Sequence, residues 1–237
     1  MQEEIFQKHT GKETAVQISE EKLLDDTGGM GNIFTSIVNV RGKPKQFVIK
    51  KYNKSYFSEK KSQELVRHAF EMYVLAKNSG LKVFPTFRIG TDGKSILMTD
   101  GFLNDQICIG SNGRFNMYRY GEEFMKKTVA LEFFLNACFQ EALDAAAKGF
   151  KFAVADIYFF LLSKQEPRTL DFVIGDFDNL KKAEPSFETV YNNLRQVRIM
   201  LSEFFYNNID TFSSADFIEK IDECYEKKLQ ETQKVII

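Results

Sequence analysis

Residues 28–52 read GGMGNIFTSIVNVRGKPKQFVIKKY. A glycine-rich turn leads into the β-branched and aromatic residues 33–40, and a second turn at residues 41–44 leads into residues 47–52. β-Branched and aromatic residues favour strands, whereas glycine and proline favour the turns between them. Together with a short β-like run at residues 22–25, the segment predicts three antiparallel strands joined by hairpins.

The glycine-rich turn has a possible chemical use. Glycines let backbone N–H groups come close to phosphate oxygens, because no side chain stands in the way. Gly28, Gly29 and Gly31 would provide such a surface. An ordinary hairpin turn explains the same glycines, so the turn alone does not identify a phosphate site.

Lys50 lies among apolar residues in the last of these strands. A buried ammonium is costly without a carboxylate partner, and the helix predicted at residues 58–78 offers Glu71, with Glu64 as the competing partner. Alternation along the strand places Val48 and Lys50 on one face. The alternative is that Lys50 protects a sheet edge and that Glu71 is solvated.

The rest of the chain divides into a β-rich part and a helical part. A strand is predicted between Pro85 and Gly90 and another at residues 95–99, followed by a loop at residues 104–114. The second half predicts a long helix at residues 122–148, a β pair at residues 152–163 and 170–174, and two further helices at residues 187–207 and 215–232. Ser213 or Ser214 would cap the last helix.

Three aspartates stand where carboxylates have chemical uses. Asp176 follows the apolar run of residues 172–174, and Asp178 comes two positions later, a pattern suited to a hard cation such as Mg²⁺. A turn that ends the strand is the alternative, because aspartate also favours turns. Asp156 interrupts the apolar residues 152–162, where it could cap a turn or accept a proton from a substrate.

Composition excludes several classes of function. The 237 residues carry 32 Lys and Arg against 33 Asp and Glu, a net charge of −1, which argues against a dedicated nucleic-acid binder. Three scattered cysteines and two histidines disfavour a zinc site or a disulfide framework. No apolar run reaches the roughly 20 residues of a membrane span, and residues 1–13 lack an apolar signal core, so a cytoplasmic location is expected.

The order of these features resembles the protein-kinase-like superfamily: glycine turn, strand lysine, helix glutamate, hinge strand, helix, loop aspartate and strand-end aspartate. Minimal or atypical bacterial kinases, of the lipopolysaccharide-kinase and RIO-like groups, are the nearest comparison. The resemblance implies an α+β, bilobal fold. An antiparallel β N-lobe would span residues 1–102, and a mainly helical C-lobe would span residues 103–237.

The resemblance also implies the roles of the site residues. Lys50, oriented by Glu71, would hold the ATP phosphates, Asp156 would accept the proton of a substrate hydroxyl, and Asp176 and Asp178 would bind Mg²⁺. Residues of the glycine turn, the lysine strand and the hinge would bind ATP, namely Gly28, Gly29, Gly31, Val48, Lys50, Met98, Thr99 and Asp100. The acceptor stays open between a sugar, a lipid head group, a small molecule and a protein.

The sequence departs from the family pattern at several points. Phe34 stands at the third glycine position, no His-Arg pair precedes Asp156, and no Asn follows it at the family's spacing, although Asp178 or Asn179 could replace that metal ligand. A pseudokinase that binds nucleotide or a protein without efficient catalysis is therefore the alternative function.

An unrelated α+β interaction module is the third hypothesis, since the chain has 24 phenylalanines and no tryptophan. Adjacent aromatics cannot both face the same side of a helix. One member of each of the pairs Phe133-Phe134 and Phe204-Phe205 is therefore expected at the surface or in an interface.

Overall fold

The computed structural model of the chain describes residues 2–7, 12–25, 31–40, 43–53, 55–98, 106–110, 128–163, 165–208 and 211–236. The chain forms two compact units. The barrel unit comprises Met1–Lys77 and Val83–Gln106, and the helical unit comprises Asn78–Lys82 and Ile107–Ile237. The boundary predicted after residue 102 falls outside the described residues and stays a prediction.

The described part of the barrel unit has six strands and one helix. Its elements are β1 (Gln2–Gln7), β2 (Glu13–Asp25), β3 (Asn32–Val40), β4 (Lys43–Lys51), α1 (Glu59–Asn78), β5 (Phe87–Gly90) and β6 (Ser95–Met98). The strands form a closed barrel in the order β1-β2-β3-β4-β6-β5. The antiparallel β2-β3-β4 series and the β5-β6 hairpin confirm the prediction, but β1 and the first half of β2 were not predicted.

The barrel closes where β1 meets β5. Phe6 pairs with Gly90, and the N–H of Thr91 donates a 2.9 Å hydrogen bond to the carbonyl of Ile5. Two register shifts in β2 add the local bending that closing a sheet requires. Apolar side chains from five of the strands fill the interior: Phe6, Val16, Ile18, Val38, Phe47, Ile49 and Leu97.

Helix α1 begins and ends where the sequence predicts. The hydroxyl of Ser58 accepts a 3.2 Å hydrogen bond from the backbone N–H of Lys61, as an N-cap does. Gly80, with φ of 73°, follows the helix in the left-handed conformation that glycine tolerates best. The ring of Tyr73 stacks on that of Phe87 at 4.5 Å, which packs α1 against the outer face of β5.

Within the residues that the structure describes, the helical unit combines three helices with short strands. Its elements are β7 (Gln106–Gly110), β8 (Thr128–Val129), α2 (Leu131–Ala147), β9 (Phe150–Phe152), β10 (Tyr158–Ser163), β11 (Arg168–Ile174), a 3₁₀ turn (Phe177–Asn179), β12 (Leu180–Lys182), α3 (Phe187–Asn208) and α4 (Thr211–Ile236). One sheet has the order β7-β10-β11-β8, and β9 pairs with β12 in a separate two-stranded ribbon. β7 begins at the last residue of the barrel unit. The chain is thus a mixed α and β protein with mainly antiparallel strands.

Four predicted boundaries in this unit are wrong. The long helix begins at Leu131 instead of residue 122, because residues 128–129 pair with β11, while residues 122–127 lie outside the described part. The strand predicted at residues 152–163 is two strands, separated by residues 153–157. The loop predicted at residues 104–114 contains β7, and α4 begins at Thr211, ahead of the predicted caps Ser213 and Ser214.

The paired phenylalanines behave differently in the two helices. Phe133 is 78% exposed and Phe134 is buried, as predicted. Phe204 and Phe205 are both fully buried, against the prediction, because α3 is covered on two sides. The ring of Phe204 meets that of Phe160 at 4.5 Å, and the ring of Phe205 stacks on that of Phe217 at 5.0 Å.

Lys82 ties the segment Asn78–Lys82 into the helical unit. Its backbone N–H donates a 2.6 Å hydrogen bond to the carboxylate of Glu141, and its carbonyl accepts one of 2.8 Å from the N–H of Ile174. Its ammonium pairs with Asp171. Burial raises the pKa of Glu141, and the hydrogen bond from Lys82 offsets only part of that rise.

Within the described ranges, none of the helices combines the length and the apolar composition that crossing a bilayer demands.

Candidate functional site

Two backbone segments of the helical unit hold the acidic residues predicted from the sequence. We call the loop at residues 153–157 and the turn at residues 175–179 the acidic frame. The N–H of Ala153 donates to the carbonyl of Asn179 at 2.9 Å. The N–H groups of Gly175 and Asp176 donate to the carbonyl of Ile157 at 3.0 and 3.3 Å. The loop that carries Asp156 is therefore fixed at both ends to the turn that carries Asp176.

Two asparagines of α3 hold the strand that leads into the frame. The side-chain carbonyl of Asn193 accepts from the N–H of Phe152 at 2.8 Å, and its amide donates to the carbonyls of Phe150 at 2.9 Å and Ala142 at 3.3 Å. The amide of Asn192 donates to the carbonyl of Phe152 at 2.7 Å. Sequence reasoning missed both residues, because an Asn-Asn pair in an amphipathic helix looks like solvated surface.

Within the frame, the three aspartates have different surroundings. Asp176 begins the 3₁₀ turn, and its carboxylate accepts a 2.6 Å hydrogen bond from the side-chain amide of Asn179. Asp178 is buried, with 7% of its surface exposed, whereas Asp156 is exposed. Asn179 thus fixes the carboxylate of Asp176 from three residues away.

The donor atoms of the frame suit a hard cation. Mg²⁺ is usually held by one or two carboxylates together with phosphate oxygens and water. Asp176 and Asp178 would supply the carboxylates, and Asn179 would supply an amide oxygen. No group of three or more His, Cys, Asp or Glu side chains suited to a metal occurs among the described residues, so the protein part of such a site is limited to these few oxygens.

Lys50 lies on the outer face of β4, together with Val48. Its side chain is buried, and its ammonium lies 5.2 Å from the ring centre of Tyr52. In the register of the barrel, Val48 stands opposite Met98 of β6, which is also buried. The predicted nucleotide-binding residues Val48, Lys50 and Met98 therefore share one buried face of the barrel.

The end of the glycine turn lies beside Lys50. A Cβ at Gly31 would lie 2.7 Å from the carbonyl oxygen of Lys51 and 3.6 Å from Cγ of Lys50, so a side chain there would collide with β4. Glycine is thus required at this position by the close approach of two strands. Gly28, Gly29, Thr99 and Asp100 lie outside the described residues.

The predicted partner of Lys50 is at the surface. Glu71 is exposed on α1, and the ion pairs between described residues do not include it. Glu64, the competing partner, is half-buried. A role for either glutamate in orienting Lys50 stays a prediction.

Lys51, the residue after Lys50, forms ion pairs with two glutamates. The sequence did not single out this lysine. Alternation places Lys51 on the inner face of β4, and its ammonium lies 3.2 Å from Glu4 and 2.8 Å from Glu21. Burial alone lowers the pKa of Lys51, but the hydrogen bond to Glu21 and the charges of both glutamates outweigh it and raise that pKa. The positions of Glu4 in β1 and Glu21 in β2 indicate that they pair with Lys51 only when the pairing register of the barrel strands is known.

Comparison with known proteins assigns no family. No family model matches the sequence. No curated protein matches it either. Among solved structures, the chain is similar to the proinflammatory kinase CtkA of Helicobacter pylori, with 10% identity and a TM-score of 0.42 over 94% of this chain and 97% of that one. A similarity at that identity and score does not establish a shared family or activity.

Proposed function

We propose that the chain is an ATP-dependent phosphotransferase that transfers a phosphoryl group to a hydroxyl acceptor. The observation that carries the proposal is the acidic frame. Phosphoryl transfer needs a group that positions the acceptor hydroxyl and takes its proton, and a second group that holds the metal bound to the phosphates. Asp156 and Asp176 lie on two backbone segments joined by hydrogen bonds.

The proposed roles follow from the surroundings of each residue. Asp156 is exposed, so an incoming hydroxyl can reach its carboxylate, which accepts the proton of that hydroxyl. Asp176 and Asp178 hold Mg²⁺, with the oxygen of Asn179 as a further ligand, and Asn179 keeps the Asp176 carboxylate in one orientation. A Mg²⁺ ion held by these residues would supply charge neutralisation of the transferred phosphoryl group.

In the barrel unit, the buried ammonium of Lys50 holds the ATP phosphates. The backbone of Gly28, Gly29 and Gly31 covers them, and Val48 with residues 98–100 contacts the adenine. The proposal includes a protein-kinase-like bilobal fold, in which the barrel unit has the role of the β-rich lobe.

Two measurements on purified protein test this function. The first is the shift in melting temperature with ATP and Mg²⁺, which rises when the folded state binds the ligand. The second is transfer of γ-labelled phosphate. We expect Lys50→Met and Asp176→Asn to lose most of the ATP-dependent shift. We expect Asp156→Asn to keep the shift and to lose about 10²–10⁴-fold in transfer rate.

Exposed residues away from these positions provide the controls. Lys60→Met on α1 and Asp216→Asn on α4 change the same charges on exposed side chains and should leave both readouts unchanged. Transfer that persists at full rate in Asp176→Asn would contradict the assigned metal site. A melting temperature that no nucleotide changes would contradict nucleotide binding altogether.

A pseudokinase is the second candidate, and the position of Glu71 favours it. Glu71 is exposed on α1, and the His-Arg pair that precedes the family's catalytic aspartate is missing before Asp156. Under this function, ATP with Mg²⁺ raises the melting temperature, but label transfer by the unaltered chain does not exceed that of Asp156→Asn.

A further inference from the structure

The β9-β12 ribbon places two lysines directly opposite each other. Lys151 pairs with Lys181 in the antiparallel register, between the rungs Phe152–Leu180 and Phe150–Lys182. Phe150, Phe152 and Leu180 are buried, so alternation puts Lys151 and Lys181 together on the face turned away from the core. We call these two residues the lysine pair.

The charge of the lysine pair is poorly compensated. Like charges directly opposite each other destabilise an antiparallel pair. Glu188, at 3.7 Å, is the carboxylate paired with Lys151, and its side chain is 86% exposed. Lys181 is exposed and belongs to none of the ion pairs in the described part of the chain. The ribbon thus keeps two adjacent positive charges at a cost in stability.

Both ammonium groups can reach a single oxyanion. Opposed residues of an antiparallel pair have Cβ atoms about 4.5–5.5 Å apart, and lysine side chains are long and flexible. Two ammoniums supply up to six N–H donors, which suits the oxygens of a phosphate group.

The lysine pair adjoins the acidic frame. Lys151 precedes Ala153 by two residues, and Lys181 follows Asn179 by two, so each lysine lies about 7 Å along its strand from a residue of the frame. The lysine pair is thus joined to each of the two segments of the acidic frame by two residues of strand.

We infer that the lysine pair binds the phosphate group of the acceptor, so that the acceptor is a phosphorylated polyol. The inference rests on the proposed function and names the substrate class for the same site. The phosphate is held by Lys151 and Lys181, and a hydroxyl of the same molecule reaches Asp156. The phosphate of the acceptor is kept, and the γ-phosphoryl group of ATP forms a new ester at the hydroxyl with release of ADP.

Binding is measured first, without catalysis. Inorganic phosphate and sn-glycerol 3-phosphate are titrated into the intact protein by calorimetry at low and moderate salt. We expect Lys151→Gln and Lys181→Gln each to weaken binding of both probes about five- to tenfold, and added salt to weaken it further. Lys182→Gln removes a charge from the other face of the same ribbon and should change neither affinity.

Transfer of γ-labelled phosphate then distinguishes the possible acceptors. We expect glycerol 3-phosphate to be labelled more than glycerol, with the difference lost in Lys181→Gln. Vesicles of phosphatidylglycerol present the same chemistry as a lipid head group, and preferential labelling of the vesicles would assign that source. Preferential labelling of an acidic serine-containing peptide would overturn the inference in favour of a protein acceptor.

The two proposals fail in different ways. If ATP with Mg²⁺ raises the melting temperature and label is transferred, but phosphate binding is equal in Lys181→Gln and Lys182→Gln, the inference is wrong and the proposed function stands. If the lysine pair binds both probes but ATP changes nothing, the proposed function is wrong, and with it the assignment of the bound phosphate to an acceptor.

Discussion

At the scale of single residues, Asn193 shows how a polar side chain fixes a candidate site. It satisfies one backbone N–H and two backbone carbonyls in a fully buried position. Buried backbone groups without a partner are rare in proteins because leaving one unpaired is costly. Asn193 therefore determines where β9 ends and where the acidic frame begins.

Replacing Asn193 by alanine should lower the free energy of unfolding by about 2–4 kcal/mol, since the N–H of Phe152 and the carbonyl of Phe150 would lose their partner. Urea unfolding followed by circular dichroism measures it. Asn192→Ala removes one short part-buried bond, to the carbonyl of Phe152, and a long one of 3.5 Å to Asn193, and should cost only about 1 kcal/mol. Equal losses in the two variants would show that Asn193 has no special role.

The burial of a polar side chain was predictable where its neighbours along the chain indicate a buried strand face. Lys50 was predicted on a buried face because apolar residues surround it along the strand, and the structure buries it. Lys51 and Asn193 were missed, since their partners come from distant strands and helices. Glu4 and Glu21 reach Lys51 only through the closure of the barrel.

At the scale of elements, the β9-β12 ribbon contains a repulsion that one substitution can relieve. Lys181→Glu converts the opposed lysines into an opposite-charge pair. We expect the free energy of unfolding to rise by about 0.2–1 kcal/mol while phosphate binding is lost. Lys182→Glu, opposite Phe150, should give no such gain. If Lys181→Glu is less stable than the unaltered chain, the lysines do not repel each other as argued.

The ion cluster inside the barrel predicts a dependence on alkaline pH. Because the pKa of Lys51 is raised above its ordinary value of 10.5, its stabilising effect is complete below that value and is lost as the pH rises through the folded-state pKa. The difference in unfolding free energy between the unaltered chain and Lys51→Met should therefore be constant from about pH 8 to 10 and shrink above about 10.5.

The control for this titration is Lys60→Met, which removes an exposed lysine from α1. Its stability relative to the unaltered chain should not depend on pH in the same range. A difference for Lys51→Met that stays constant up to pH 11.5 would rule out the ion cluster as its source.

The ends of a helix were predictable where the sequence contains capping residues. Ser58 and Gly80 mark the ends of α1, and both positions are confirmed. The start of α2 has no such signal, because Ala130 stands at its N-cap with φ of 59° and no side-chain hydrogen bond. The parallel pairing of β8 with β11, which is not local, decides that boundary.

At the scale of the whole molecule, the chain passes between its two units three times. It leaves the barrel unit after Lys77, contributes Asn78–Lys82 to the helical unit, returns at Val83 and leaves again after Gln106. The mixed α and β character and the longer helices followed from local patterns, whereas the excursion of Asn78–Lys82 into the helical unit did not. Its cause lies in the partners of Lys82, which are Glu141, Asp171 and Ile174.

Two fragments test how much the segment Asn78–Lys82 stabilises the helical unit. A fragment of residues 107–237 leaves the N–H of Ile174 and the carboxylate of Glu141 without their partners on Lys82. Its free energy of unfolding should be about 2–4 kcal/mol lower than that of a fragment of residues 78–237. Equal urea midpoints for the two fragments would show that the segment contributes nothing.

The seam between β1 and β5 has a consequence for biosynthesis. Phe6 leaves the ribosome long before Gly90, its partner, has been translated. At about 5–20 residues per second, the first strand waits roughly 5–15 s for the strand that completes its hydrogen bonding. During that interval the barrel is not closed, so the nascent chain exposes apolar surface of the future interior to which chaperones bind.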